Sequence, residues 1–299
     1  MGSLVDVSIN TNGIAKLGEL ICNATGITAA GIKKNADAEC YKRLLMAKAE
    51  NIISQGNDNA IDRFIYAQTH KKLDNILQVS QKVFNEFTEQ EEVSSEKVDQ
   101  DWATRFFNIV EDISDEEMQN LWAKILAGEI KQPKSFSLRT LEVLRNISKE
   151  EAEAFIRNAP YCLDNCLCAE NNFIKITDYL LLVDAGLIAP HEDLVVNITI
   201  DKEEEKLFVL KLGNRVLCLS GDRDKIEQKR IKIYSLTKAG SELLRLSIVE
   251  PSQECVDYFI DIFRNNGATR ITEHKVTAIK GNNFDFGDEP IKVHFDSSL

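Results

Sequence analysis

Met118, Leu121, Trp122, Ile125 and Leu126 recur at i, i+3, i+4, i+7 and i+8, a spacing that demands a helix with one buried face. A strand would scatter the same five residues over both sides of a sheet. Just upstream, Trp102, Phe106, Ile109 and Ile113 share a second helical face, which stops at Ser114. Ser114 followed by Glu117 has the form of a capping box, so the next helix is expected to open there. Gly128 and Pro133 bracket its expected end. Leu138, Leu141 and Leu144 predict a short third helix, and Ser148 with Glu151 predicts a capped fourth that ends near Pro160. Four short helices with tight connections predict a compact helical body over Asp101–Phe155.

Either side of this block the pattern differs. Gly13 to Gly31 is apolar but carries Lys16 and Glu19, as expected of a helix lying on its own protein rather than on a membrane. Asn35 to Ser54 lacks Pro and Gly and predicts a helix, and Ala60 to Glu89 predicts a longer one. Leu73, Ile76, Leu77, Val83, Phe84 and Phe87 draw a narrow apolar stripe on the longer helix. The stripe suits an intermolecular seam, hence a homo-oligomer, and equally suits packing against the same chain. Glu89 to Gln100 has little to bury and reads as an exposed linker.

After Ile174 the periodicity changes. A helix over Ile174–Val183 ends at Asp184-Ala185-Gly186, and strand-like segments follow at Leu194–Ile200, Leu207–Leu212, Arg215–Leu219 and Ile231–Leu236. Gly213-Asn214 is a hairpin turn, and Thr237 opens a helix through Leu246. This order, with "AGLI" and "YSLTKAGSELL", resembles a winged helix with an enlarged β-wing. Val256, Phe259, Ile260 and Phe263 predict a last amphipathic helix, Arg270–Ile279 alternates like an edge strand, and the polar remainder reads as a loose tail. The expected fold is mainly α with a smaller α+β part. It comprises an N-terminal helical hairpin region over 1–90, a linker over 91–100, a central four-helix block over 101–160, a winged-helix-like module over 161–280 and a tail over 281–299.

The run Asp101-Trp102…Phe106-Phe107…Ser114 to Gln119…Leu121 to Glu129, continued by Pro133 and Ser135 to Leu141, resembles the bacterial family catalogued as domain of unknown function 2806. The similarity extends more weakly over Gly13 to Leu246. One departure is visible, since family members often have Pro-Gly where this chain has Pro133-Lys134. The family supplies no established catalytic residues to carry over. Related helical families are associated with abortive infection and phage defence, which implies a defence or stress role by analogy.

Candidate chemistry is sparse. Asp101, Trp102, Phe106, Gln119, Trp122, Glu129, Ser135 and Arg139 form either a recognition surface or a set of caps and locks, with Arg139 a natural ion-pair partner for Glu129 or Asp101. Cys162, Cys166 and Cys168 are weak zinc candidates, because no second knuckle follows them; Cys218 and His191 come later in the chain, and buried thiols are the ordinary alternative. Four scattered histidines and the lack of any P-loop, dinucleotide fingerprint or nucleophile elbow argue against a familiar enzyme, and no cofactor is expected. A net charge of −12 disfavours nucleic acid, although Arg223, Lys225, Lys229 and Arg230 are the candidate DNA contacts. Seven irregularly spaced cysteines, an N-terminus with Asp6 and Asn10 before anything apolar, and no charge-free stretch long enough to span a bilayer suggest a cytoplasmic protein with reduced thiols. The expectation is a non-catalytic interaction or sensor protein with a protein partner. The alternatives are a DNA-binding regulator and an effector enzyme built on Asp101, Glu129 and Arg139.

Overall fold

The computed structural model describes residues 11–25, 60–87, 93–190, 194–197, 200–202, 207–227, 229–246, 249–280 and 283–297. The protein is mixed α+β and mainly helical. It divides into two compact units, residues 1–145 and 146–299.

The first unit is helical: α1 (Thr11–Thr25), α2 (Ala60–Asn85), α3 (Gln100–Val110), α4 (Glu116–Lys131) and α5 (Leu138–Asn146). The expected helix over Asn35–Ser54 lies outside the described residues. Helix α4 forms the axis, with Trp122, Ile125, Leu126 and Ile130 fully buried. Trp102 stacks on Phe106 at 5.3 Å between ring centroids, and Phe106 meets Trp122 edge-on at 5.6 Å. Half of the stripe on α2 is buried within this unit, while Leu73, Phe84 and Phe87 are half-buried. Ile76, Leu77 and Val83 are buried, Val79 joins them, and α2 packs along α4.

Polar contacts fix the ends of that packing. Asn75 donates to the Glu111 carbonyl at 2.8 Å, and Lys82 donates to Asn120 at the same distance. The segment expected as an exposed linker is largely exposed over Val93–Asp99 and is anchored there by backbone contacts. The Lys16 ammonium donates to the carbonyls of Ser94 and Glu96, each at 2.5 Å, and the Ser94 N–H donates to Lys131.

One helix start differs from expectation. Asp115, not Ser114, caps α4, accepting from the Met118 N–H at 2.9 Å. Both residue types cap, but a carboxylate also meets the positive end of the helix dipole. Helix α4 ends at Lys131, within the expected bracket of Gly128 and Pro133. The missing side chain of Gly128 admits the Phe136 ring, whose Cε2 lies 2.8 Å from where a Cβ would stand.

The second unit opens with α6 (Lys149–Asn158), whose Ser148–Glu151 capping box is formed in both directions. A tight hairpin of β1 (Cys162–Leu163) and β2 (Cys166–Cys168) follows, and then α7 (Ile176–Asp184). Gly186, at φ 70°, ends α7 in a Schellman arrangement. Its N–H donates to Val183 and that of Leu187 donates to Leu182.

The remaining elements are β3 (Leu194–Asn197), β4 (Ile200–Lys202), β5 (Leu207–Leu212), β6 (Arg215–Gly221), α8 (Arg223–Glu227), β7 (Arg230–Ser235) and α9 (Lys238–Leu244). After them come α10 (Gln253–Asn265), β8 (Ala268–Lys280), β9 (Asn283–Phe286) and β10 (Lys292–Asp296). The antiparallel sheet runs β10-β8-β6-β5-β1-β2-β7-β3, with β4 on β5 and β9 on β8. Gly213 makes the β5–β6 turn at φ 54°, where a Cβ would also stand 2.2 Å from the Val249 carbonyl oxygen.

Strand β8 is therefore interior rather than an edge, and Ile271 to His274 are buried in succession. The C-terminal residues expected as a loose tail supply the two strands, β9 and β10, that pair with it. Helix α10 packs on β8 through the side buried at Val256, Phe259 and Phe263.

Candidate functional site

The polar residues of the central block mostly hold the block together. The Trp102 indole N–H donates to the Phe136 carbonyl at 2.8 Å. Glu129 is only 1% exposed, and its two oxygens accept from the N–H groups of Lys134 at 2.6 Å and Phe136 at 3.0 Å. Ser135 donates to the Gln132 carbonyl, and Gln119 to that of Ile113. Phe106 and Trp122 are fully buried core.

Asp101 and Arg139 are exposed. Glu129, expected with Asp101 as a candidate ion-pair partner of Arg139, is buried and accepts from two loop N–H groups. The same loop explains the family's Pro-Gly. Lys134 sits at φ 72°, in the left-handed region that favours glycine.

A different surface emerges in the second unit, on the helix pair α6–α7. Arg157 donates to both oxygens of Asp178, at 3.2 and 3.0 Å, and Asn158 adds a third bond at 2.8 Å. The guanidinium of Arg157, and then the Asn158 amide, hold the Asp178 carboxyl below its ordinary value against the opposing effect of burial. Away from this contact, each of the two helices also presents apolar side chains to solvent. Ile156 is 71% exposed, Ile176 65% and Leu180 54%. Ile176 and Leu180 stand one turn apart on one side of α7.

The basic residues named as candidate DNA contacts lie in and around the short α8. Arg223 opens the short α8, and Lys225 pairs with Asp222 at 3.1 Å. Lys229 is half-buried and Arg230 is exposed.

Two further clusters lie in the same unit; the sequence pointed to Cys162 and Cys168 of the second but not to Cys255, nor to the first. Arg215 bonds Glu250 at 3.1 and 3.2 Å and Glu273 at 3.3 Å. The other oxygen of Glu273 meets His294 Nε2 at 2.7 Å, and Asn214 donates to Glu250 at 2.7 Å. Arg215, Glu250 and Glu273 line an open cleft of about 320 Å³ with Gln253, Ile291 and Lys292. The guanidinium is already met by two carboxylates, so this network joins the start of α10 and β10 to the sheet rather than awaiting an anion. The second cluster consists of Cys162, Cys168 and Cys255, all buried. Among the described residues no group of three or more His, Cys, Asp or Glu side chains is placed to hold a metal ion, and His191 lies outside them.

No helix among the described residues is long and apolar enough to cross a membrane. No curated protein and no solved structure matches the chain. A family described as "Protein of unknown function (DUF2806)" has a model that matches residues 60–165. That span runs from the start of α2 to the turn after β1 and contains the whole Trp102–Phe136–Glu129 lock. Residues 60–165 thus match the same domain of unknown function 2806 that the central block resembles.

Proposed function

We propose that the chain is a non-catalytic interaction protein that docks another protein on the exposed face of α7. In the winged-helix reading, α7 occupies the place of the reading helix, which in a DNA-binding module carries Arg, Lys, Asn or Gln towards bases and phosphates. The single observation that carries the proposal is that α7 instead offers Ile176 and Leu180, one turn apart on one side, to solvent. Apolar side chains gathered on one exposed face are a mark of interaction sites. A net charge of −12 adds a repulsion that a DNA partner would have to overcome. A second copy of the chain is one candidate partner, which would make the protein a homo-oligomer. The defence or stress setting is an analogy with related helical families.

The test uses the charge-introducing variant Ile176→Glu/Leu180→Glu, which touches only exposed positions, and a second variant, Lys229→Glu/Arg230→Glu. Mass in solution and co-purification from the native host are compared with wild type. Loss of a higher-mass species, or of a discrete bound protein, in the first variant alone supports the proposal. Steeply salt-dependent binding of duplex DNA that is lost in the second variant alone would instead establish the DNA-binding alternative.

A further inference from the structure

Helix α1 is held on the first unit in two ways. It packs on α3 and α4, with Leu17, Leu20 and Ile21 buried. Beside them the Lys16 ammonium reaches the 93–99 segment and donates to the Ser94 and Glu96 carbonyls, each at 2.5 Å. Both carbonyls are fixed from behind. The Ser94 N–H is bonded to the Lys131 carbonyl at 2.9 Å, the Glu96 N–H to the Ser94 hydroxyl at 3.1 Å, and the Glu96 carboxylate to Lys134 at 2.5 Å. Asp99 closes the segment by capping α3, accepting from the Trp102 N–H at 2.9 Å.

Lys16 thus gives its bonds to neutral carbonyl oxygens rather than to a carboxylate. Two of the three N–H groups of an ammonium are used in this way. A neutral amine, with two N–H groups and a lone pair, serves the same two acceptors and turns its lone pair to where the third N–H stood. An open cavity of about 200 Å³ lies beside it, lined also by Glu19, Leu20, Asn23 and Lys97. Lys97, paired with Glu19 at 3.3 Å, brings a second ammonium to that cavity.

We propose that Lys16 is an acylation site that takes a small acyl group from an acyl phosphate, and that its acylation loosens α1 from the 93–99 segment. The cavity gives the reagent a route, and the Lys97 charge lies beside it for the departing phosphate. Burial holds the Lys16 amine below the ordinary lysine value, against the opposing charges of Glu96 and Glu19. A desolvated lysine of this kind reaches its nucleophilic form more readily than a fully hydrated one.

In the reaction the Lys16 ammonium first gives one proton to solvent. The nitrogen lone pair then attacks the acyl carbon, a C–N bond forms, and the C–O bond to phosphate breaks. The phosphate leaves with a second proton, and the third stays on the amide nitrogen. That amide has one N–H and no charge, so one of the two carbonyls loses its donor. The bond to Ser94 is part-buried, and an acceptor left unserved in such a place favours opening. Helix α1 is then retained by its apolar side alone. The inference concerns the first unit and is independent of the α7 docking face.

The experiment treats the folded full-length chain with acetyl phosphate at mildly alkaline pH and maps acetylated lysines against time. Hydrogen exchange of α1 is followed once the reagent has been removed. The expected result is an acetyl group on Lys16 ahead of Lys97, with faster exchange at Leu17, Leu20 and Ile21. Lys16→Gln should show the faster exchange without treatment. Lys16→Arg, which keeps charge and donors, should exchange as wild type does. The wild-type map decides the matter even if a variant fails to fold. Acetylation of Lys97 before Lys16 would overturn the site, and an acetylated Lys16 with unchanged α1 exchange would overturn the release of the helix.

Discussion

Replacing Glu129 with alanine removes the acceptor for two backbone donors in a site closed to water. The carboxylate takes the Lys134 N–H at 2.6 Å and the Phe136 N–H at 3.0 Å. A hydrogen bond to an ionised partner contributes about 1.5–3 kcal/mol net, and each orphaned N–H adds its own desolvation cost. Removing the buried charge returns part of this, so the expected loss is about 3–4 kcal/mol. For a domain of this size each kcal/mol moves the melting temperature by about 2–4 °C, which predicts a fall of about 10 °C. Glu129→Gln keeps one acceptor oxygen but turns an amide donor towards the other N–H, for a loss of about 2 kcal/mol. Thermal melting followed by circular dichroism gives the magnitude, and hydrogen exchange at the Lys134 and Phe136 amides gives the location. If Glu129→Ala melted within about 2 °C of wild type, with both amides protected as before, the structural role assigned to this residue would be wrong. Its place in a reaction would then have to be reconsidered.

Other perturbations have equally definite outcomes. Lys134→Gly relieves a left-handed backbone conformation at the cost of an exposed ion pair with Glu96. A net gain of about 0.5–1 kcal/mol in urea unfolding is expected, and a loss would show that the pair outweighs the backbone. The Asp178 carboxyl is held below its ordinary value, so its contribution to stability is complete above about pH 4 and fades as pH falls through the lowered value. Asp178→Asn should therefore have a lower urea midpoint near neutrality and a flatter pH dependence below about pH 4; parallel profiles for the two proteins would contradict this.

What could be read from the sequence was what local spacing dictates. The helices of the central block, the Ser148–Glu151 box, the Gly186 stop and the Gly213 turn each depend on residues within a few positions of one another. The start of α4 slipped by one residue because Ser114 and Asp115 both cap, and only the settled backbone chooses. Strand β8 looked like an edge because alternation reports which face is buried and says nothing of whether both edges are paired. The C-terminal strands were missed for a related reason, since their polar residues are held by β8 rather than by a core of their own. Long-range partners left no trace at all. Arg215 and Glu273 are 58 positions apart and Tyr258 and Glu170 are 88 apart, with no local pattern to announce either pair. The family block was recognisable, but its most regular polar positions proved to be locks on a loop. The exposed face of α7 was visible only once the structure showed which aliphatic residues were left uncovered.

The most direct test of the docking proposal places a photo-crosslinking residue at Leu180 in cells, with the same residue at exposed Asp257 on α10 as control. Irradiation is predicted to give a discrete adduct of increased mass from position 180, abolished by Ile176→Glu, and none from position 257. An absence of adducts at 180, or the same adducts from both positions, would contradict a protein-docking face on α7.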